Sequence, residues 1–176
     1  MKKIFSVAAV ITVMILTGCV SEGVYKNEEY KFTLEYGNEW KIGPAGPDEV
    51  CRLDYAAYTK DDGSSIGHIE VMARKSQEGE TLDNAAQYYL SLVKDGEVTY
   101  SGAKLDGLDG YWITVKELPE YTAKEDLESD SEEALIVTKN EENVYAFRIY
   151  GENAEYFSEI ENKADAVLAS FKVTEG

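Results

Sequence analysis

Histidine occurs once in this sequence and cysteine twice. A zinc centre needs three or four imidazole, thiolate or carboxylate ligands, so any metal site here would be built mostly of carboxylates. A histidine-dependent triad would have to use His68, and the Gly-x-Ser-x-Gly turn that presents a hydrolase serine is missing. No glycine-rich phosphate loop is present, because Gly107 and Gly110 flank a hairpin turn and not a strand-to-helix junction. Basic residues are also scarce: 17 stand against 34 acidic ones, for a formal charge of −17. Such a field repels nucleic acid and anionic lipid headgroups, so neither is an expected partner.

No apolar run is long enough for a transmembrane helix. The longest, Ile4 to Leu16, covers thirteen residues. As a helix it would span roughly 20 Å, against a ~30 Å hydrocarbon core. It follows Lys2 and Lys3 and ends in Leu16-Thr17-Gly18-Cys19. That is the layout of a bacterial secretory signal closing on a lipobox. In this reading the Cys19 thiol takes diacylglycerol, the peptidase cuts after Gly18, and the acylated Cys19 (palmitate among its chains) becomes the N-terminus. Two or three chains anchor stably where one would not. The expected location is the extracytoplasmic face of a bacterial cell membrane, inner or outer left open. Loss of Lys2 and Lys3 leaves 15 basic residues against 34 acidic ones, a charge of −19 on the mature chain.

With Cys19 lipidated, Cys51 is the one remaining thiol, so no internal disulfide is expected. It alternates with Leu53, Tyr55 and Ala57, which suits an inert, buried strand position. The expected organisation is a signal peptide over 1–18, a lipidated N-terminus and polar tether over 19–29, and one globular domain over 30–176.

Alternation with period two dominates the domain's first half. Tyr30, Phe32, Leu34 and Tyr36 share one face of a strand. Val50–Tyr58 and Ile66–Arg74 read as a hairpin closed through Asp61-Asp62-Gly63. Thr81 reads as a helix N-cap, followed by an apolar stripe of Leu82, Ala85, Ala86, Tyr89, Leu90 and Val93. Val98–Lys104 with Tyr111–Glu117, and Ala134–Lys139 with Val144–Tyr150, predict two more hairpins. A last helix over about 154–170 carries Phe157, Ile160, Ala164, Val167, Leu168 and Phe171. The expected fold class is α+β, an antiparallel sheet of about six to seven strands covered by two main helices.

This order resembles the PsbP-like fold shared with the Mog-type Ran-binding proteins, and bacterial lipoproteins built on the same domain. The likeness is carried by the aromatic strand, turn and tryptophan of Tyr30–Ile42 and by Thr81-Leu82-Asp83-Asn84-Ala85-Ala86 at the first helix. Leu108-Asp109-Gly110-Tyr111 and the closing Ala169-Ser170-Phe171 add to it. It covers about residues 25–174. Gly37 departs from it, because family members often carry proline before the tryptophan turn. The resemblance implies an α/β/α sandwich used for docking or complex assembly, without catalysis or cofactor, and transfers no site residue.

Three candidate features come from the residues themselves. His68 shares a strand face with Glu70 and Met72, which could orient its ring for general-base work or leave it a simple strand residue. Trp112 alternates against Tyr111, Ile113 and Val115, so one of these sets lies on the less buried face. The acidic stretch over 125–133 places Asp126, Glu128 and Asp130 at alternate positions, but Ser131 and Val137 break the calcium-loop template. At most, weak Ca²⁺ binding is expected there. The favoured function is a non-enzymatic protein-binding or assembly lipoprotein. A small-ligand or weak cation-binding lipoprotein is the alternative, and a carboxylate-dependent hydrolase stands third.

Overall fold

The computed structural model describes residues 23–93, 96–117 and 132–174. The signal and lipobox positions Leu16, Thr17, Gly18 and Cys19 therefore lie outside the described residues, as do 125–131 of the acidic stretch proposed for weak Ca²⁺ binding. Ten strands and two α-helices form the described part, with a single turn of 3₁₀ helix over Ala56–Tyr58. In chain order the strands are β1 (Gly23–Asn27), β2 (Phe32–Tyr36), β3 (Trp40–Gly43), β4 (Cys51–Tyr55) and β5 (Gly67–Lys75). Helix α1 (Leu82–Leu90) precedes β6 (Gly96–Leu105), β7 (Leu108–Glu117), β8 (Glu132–Lys139) and β9 (Asn143–Gly151). Helix α2 (Ala154–Ala169) and the two-residue β10 (Lys172–Val173) close the chain.

Seven strands make one antiparallel sheet in the order β3-β4-β5-β9-β8-β7-β6, and β1-β2-β10 make a separate small sheet. Alternation sorts the main sheet's residues onto two faces. One face carries Leu53, Ile69, Val71, Ile136, Phe147 and Ile149, and it buries the α2 stripe together with Phe32 and Leu34 of β2. The other carries Ile113, Leu135, Val137 and Ala146 and buries Ala85, Ala86 and Tyr89 of α1. The expected α+β sandwich is the observed fold, with each helix on its own side of the sheet. Both helices start on side-chain caps: Thr81 Oγ1 accepts from the Asn84 N–H at 3.2 Å, and Asn153 Oδ1 from the Tyr156 N–H at 3.0 Å.

Two expectations are corrected. The tether does not extend over 19–29, because Gly23–Asn27 pairs with β2 from Gly23↔Tyr36 to Asn27↔Phe32. The Tyr25 hydroxyl donates to the Val50 carbonyl at 2.6 Å and ties that strand to the domain. The polar composition that suggested a tether belongs to a strand with one half-buried face. The estimate of six to seven strands describes the main sheet but misses the second one. The expected hairpin after residue 98 is present, but its turn is tighter than Lys104 and Tyr111 as strand ends imply: Asp106 and Gly107 adopt φ of 49° and 79°, the left-handed pair of a two-residue turn between Leu105 and Leu108, and Gly110 lies within β7.

Candidate functional site

His68 is buried, and what surrounds it is an ionic chain across three strands. The register sets Asp54 opposite His68, His68 opposite Tyr150, and Tyr150 opposite Glu133. In the next row Arg52 faces Glu70, and Glu70 faces Arg148. His68 Nε2 lies 3.0 Å from Glu70 Oε1, while Arg148 Nη1 donates to Glu70 Oε2 at 3.0 Å. Arg148 then grips Glu133 with both ends of its fork, Nε to Oε2 at 2.8 Å and Nη2 to Oε1 at 2.7 Å. Side-chain exposure is 9% for His68, 12% for Glu70, 4% for Glu133 and 23% for Arg148, so the chain is held largely out of water.

Burial and pairing compete at these groups, and pairing wins. Burial pushes the Glu70 carboxyl up, but the His68 hydrogen bond and the Arg148 charge more than offset it, leaving its pKa lowered. Burial likewise works against the Arg148 charge, and Glu133 and Glu70 overcome it, so its pKa is raised. The histidine–carboxylate geometry expected for a general base is therefore present. Both Glu70 oxygens, however, are already engaged by His68 and Arg148. The arrangement staples β5, β9 and β8 together. Glu133 also needs correcting: it is not the end of a solvated acidic loop but a buried β8 residue paired with Arg148.

Trp112 is half-buried and packs against the α2-side core, whereas Tyr111, Ile113 and Val115 turn to the α1 side. It is a packing residue opposite Ile136 on the neighbouring strand. Cys51 is 3% exposed, and burial pushes its thiol up to about 12. Among the described residues, no three His, Cys, Asp or Glu side chains are grouped to hold a metal ion. Among the same residues, no helix is long and apolar enough to cross a membrane.

The apolar stripe of α1 takes in Tyr89 but leaves Tyr88 unmarked in the sequence. Of the five large apolar or aromatic side chains most exposed, Tyr88 (47%), Leu92 (43%) and Tyr100 (47%) lie on or beside this helix. A cavity of about 340 Å³ flanks one side of α1, bordered by Tyr30, Glu49, Arg74, Tyr88, Tyr89 and Leu92. The Arg74 guanidinium stacks 4.7 Å over the Tyr88 ring and grips Glu80, Nη1 donating to Oε2 at 3.0 Å and Nη2 to Oε1. That grip draws the Glu80 carboxyl down to about 2. A second cavity of about 260 Å³ lies on the other side of α1, between Asp83, Ala86, Gln87, Tyr100 and Tyr111. There the Tyr111 hydroxyl donates to Asp83 at 2.5 Å and Gln87 Nε2 donates to the Tyr100 hydroxyl at 3.1 Å. The available signal was position: Tyr88 falls off the apolar stripe of α1, so it had no core role to fill.

No protein-family model and no curated protein matches the chain. Solved structures do match. Cyanobacterial PsbP (CyanoP) from Synechocystis sp. PCC 6803 superposes with a TM-score of 0.59 at 16% identity, covering 96% of this chain and 98% of its own. LpqN, involved in cell envelope biogenesis of Mycobacterium tuberculosis, gives 0.64 at 10% identity over 90% and 93%. The Saccharomyces cerevisiae Ran-binding protein Mog1p gives 0.56 at 11% identity over 89% and 97%. The domain has the PsbP/Mog-like fold, and at these identities the likeness is one of fold.

Proposed function

We propose that this protein is a membrane-anchored, extracytoplasmic lipoprotein whose domain docks a protein partner and carries out no catalysis of its own. The observation that carries the docking is the exposed Tyr88, Leu92 and Tyr100 set around α1, with a tyrosine-walled cavity on either side. Tyrosine supplies large contact area with a polar tip and is enriched where proteins meet. The involvement of LpqN in cell envelope biogenesis and the Ran binding of Mog1p are compatible with this use of the fold. The anchor rests on Leu16-Thr17-Gly18-Cys19. Because β1 begins at Gly23, four residue steps separate Cys19 from the folded domain, a reach of at most about 14 Å. An acidic chain held this close to a bilayer suits a basic partner.

A photo-cross-linking amino acid at Tyr88, in the native membrane, is expected to capture one reproducible protein, and the same probe at Lys163 on α2 is not. Equal capture at both sites, or at neither, rejects docking through the α1 face. Cys19→Ala is expected to abolish acyl labelling and release the protein from membranes, and retention of label and membrane partitioning rejects the anchor.

The small-ligand alternative has one observation in its favour. Glu49 Oε2 and Arg74 Nε, both on residues bordering the 340 Å³ cavity, are buried without a hydrogen-bond partner. A small molecule offering a donor and an acceptor would satisfy both, and a thermal-shift screen of amides and sugars tests it.

A further inference from the structure

Strand β6 is an edge of the main sheet: among the described residues it pairs with β7 alone. It is ten residues long, largely exposed, and in unbroken register from Gly96↔Glu117 to Leu105↔Leu108. Exposed edges are normally blunted by charge, proline, bulges or brevity, because their unpaired backbone groups accept any passing strand. The opposite edge, β3, is only four residues long and runs into Pro44 and Pro47. By contrast, the centre of β6, Val98-Thr99-Tyr100-Ser101-Gly102-Ala103, carries no charge, no proline and no bulge.

The hairpin turn fixes which backbone groups point outward. A two-residue turn at Asp106-Gly107 makes Leu105–Leu108 a hydrogen-bonded pair, and such pairs alternate along an antiparallel ladder. Leu105, Ala103, Ser101, Thr99 and Glu97 therefore bond inward to β7. Val98, Tyr100 and Gly102 turn both N–H and C=O away from the sheet, along with Gly96 and Lys104. These same residues set their side chains on the α1 face, where Val98 packs against the α1-side core and Tyr100 borders the 260 Å³ cavity. Beside Tyr100 the sheet face is open, since nothing lies within 4 Å of where a side chain at Gly102 would begin.

We infer that β6 accepts an extended segment of a partner protein as an eighth strand, rich in lysine or arginine and placing an aromatic or branched apolar residue opposite Gly102. Backbone pairing supplies affinity, and the open face over Gly102, next to Tyr100 and its cavity, gives a large apolar side chain of the added strand room to pack. The charge selects the occupant. A second copy of this chain would bring a second strongly acidic molecule alongside the first, whereas a basic strand meets this acidic protein with opposite sign. This inference rests on the docking reading and adds the mode of attachment.

The test uses the purified lipoprotein in detergent and an octapeptide alternating lysine with valine, with one phenylalanine among the apolar positions. Residue-resolved hydrogen exchange is expected to slow at least tenfold at Val98, Tyr100 and Gly102. The same peptide N-methylated at alternate residues, or with glutamate for lysine, is expected to lose that protection. Gly102→Pro, which removes an outward N–H and no inward ladder bond, is expected to weaken binding at least tenfold. Should that variant misfold, the N-methylated peptide on the unaltered protein still decides. The inference is overturned by no protection at millimolar peptide, by equal protection from the N-methylated peptide, or by protection that grows with protein concentration alone, which means self-pairing. Capture of a partner at Tyr88 with the β6 amides still exchanging freely also overturns strand addition and leaves docking through α1 intact.

Discussion

Arg148 is the centre of the buried ionic chain, and its removal is the sharpest test of how that chain is held. Arg148→Met keeps similar bulk and apolar length but deletes three charge-assisted bonds, at 2.7 and 2.8 Å to Glu133 and 3.0 Å to Glu70. It strands two carboxylates whose side chains are only 4% and 12% exposed. Breaking a buried pair from one side costs about 3–5 kcal/mol, because the remaining charge stays buried without its partner. For a domain of this size that lowers the melting temperature by on the order of 10 °C. Urea unfolding at pH 7, followed through Trp40 and Trp112 fluorescence, measures it. Adding Glu133→Gln and Glu70→Gln to the same chain neutralises the stranded charges and is expected to recover at least half of the loss. The pH dependence supplies a second, independent sign. In the unaltered protein the Glu70 pKa is lowered below its ordinary 4.5, so its contribution is complete above 4.5 and is lost as pH falls through the lower folded-state value. In Arg148→Met the guanidinium that opposed burial is gone, so the Glu70 pKa moves up. The variant then loses less stability than the parent as pH falls below 4.5. A loss below about 1 kcal/mol, or a pH slope like the parent's, refutes the account of this network.

Three further outcomes follow from particular contacts. Cys51, buried with its thiol pushed up to about 12, is expected to resist a thiol reagent at pH 8 in the folded protein and to react fully in urea; labelling within minutes when folded contradicts the burial. Gly151→Ala would set a methyl group against the backbone N and Cα of Phe157 at the start of α2, where only main chain could give way. A loss of about 1–3 kcal/mol by urea unfolding is expected, against almost none for Gly102→Ala, whose site is open. Tyr145→Phe removes the hydroxyl that donates to the Tyr30 carbonyl at 2.9 Å and accepts from the Asn143 amide at 3.2 Å. The expected cost is about 1 kcal/mol, and no measurable change would show that the Asn143 amide, itself 3.2 Å from the Tyr30 carbonyl, carries that link alone.

Much of the architecture was legible because its local signals agree with its tertiary role. Strand β2 alternates as a half-buried strand should, Thr81 caps α1, and the α2 stripe is the buried one. What escaped notice depends on pairing between distant segments. Strand β10 has two residues and exists through Thr33 and Phe32 of β2. Strand β3 owes its place to β4, and its Ile42 remains 55% exposed, so no burial pattern marks it. Glu133 looked like part of an acidic run because nothing nearby in sequence reveals Arg148, which reaches it only once β8 and β9 fold into register. His68 was singled out for its rarity and its spacing to Glu70. Arg148, which holds the other oxygen of Glu70, could be named only from the sheet order. Trp112 drew notice as a large aromatic, yet the tyrosines left over after the core was filled are the ones that reach solvent.

The early start of β1, at Gly23, bears on how the domain is presented. Strand β1 pairs with β2, whose Phe32 and Leu34 belong to the α2-side core, so the chain enters the domain on the α2 side of the main sheet. Helix α1, with Tyr88 and Leu92, covers the opposite side. If Cys19 is acylated as proposed, at most about 14 Å separates it from Gly23, so the domain would not turn over freely. The α2 side would then be held towards the bilayer and the α1 face offered outward, within reach of a partner. Spin labels test this in liposomes containing a nickel-chelating lipid. A label at Lys163 or Ser158 on α2 is expected to relax faster than one at Ser91 beside the end of α1, and Cys19→Ala should abolish the difference. Equal relaxation at both faces of the anchored protein would mean that the short tether does not orient the domain, and the outward presentation of α1 would fail with it.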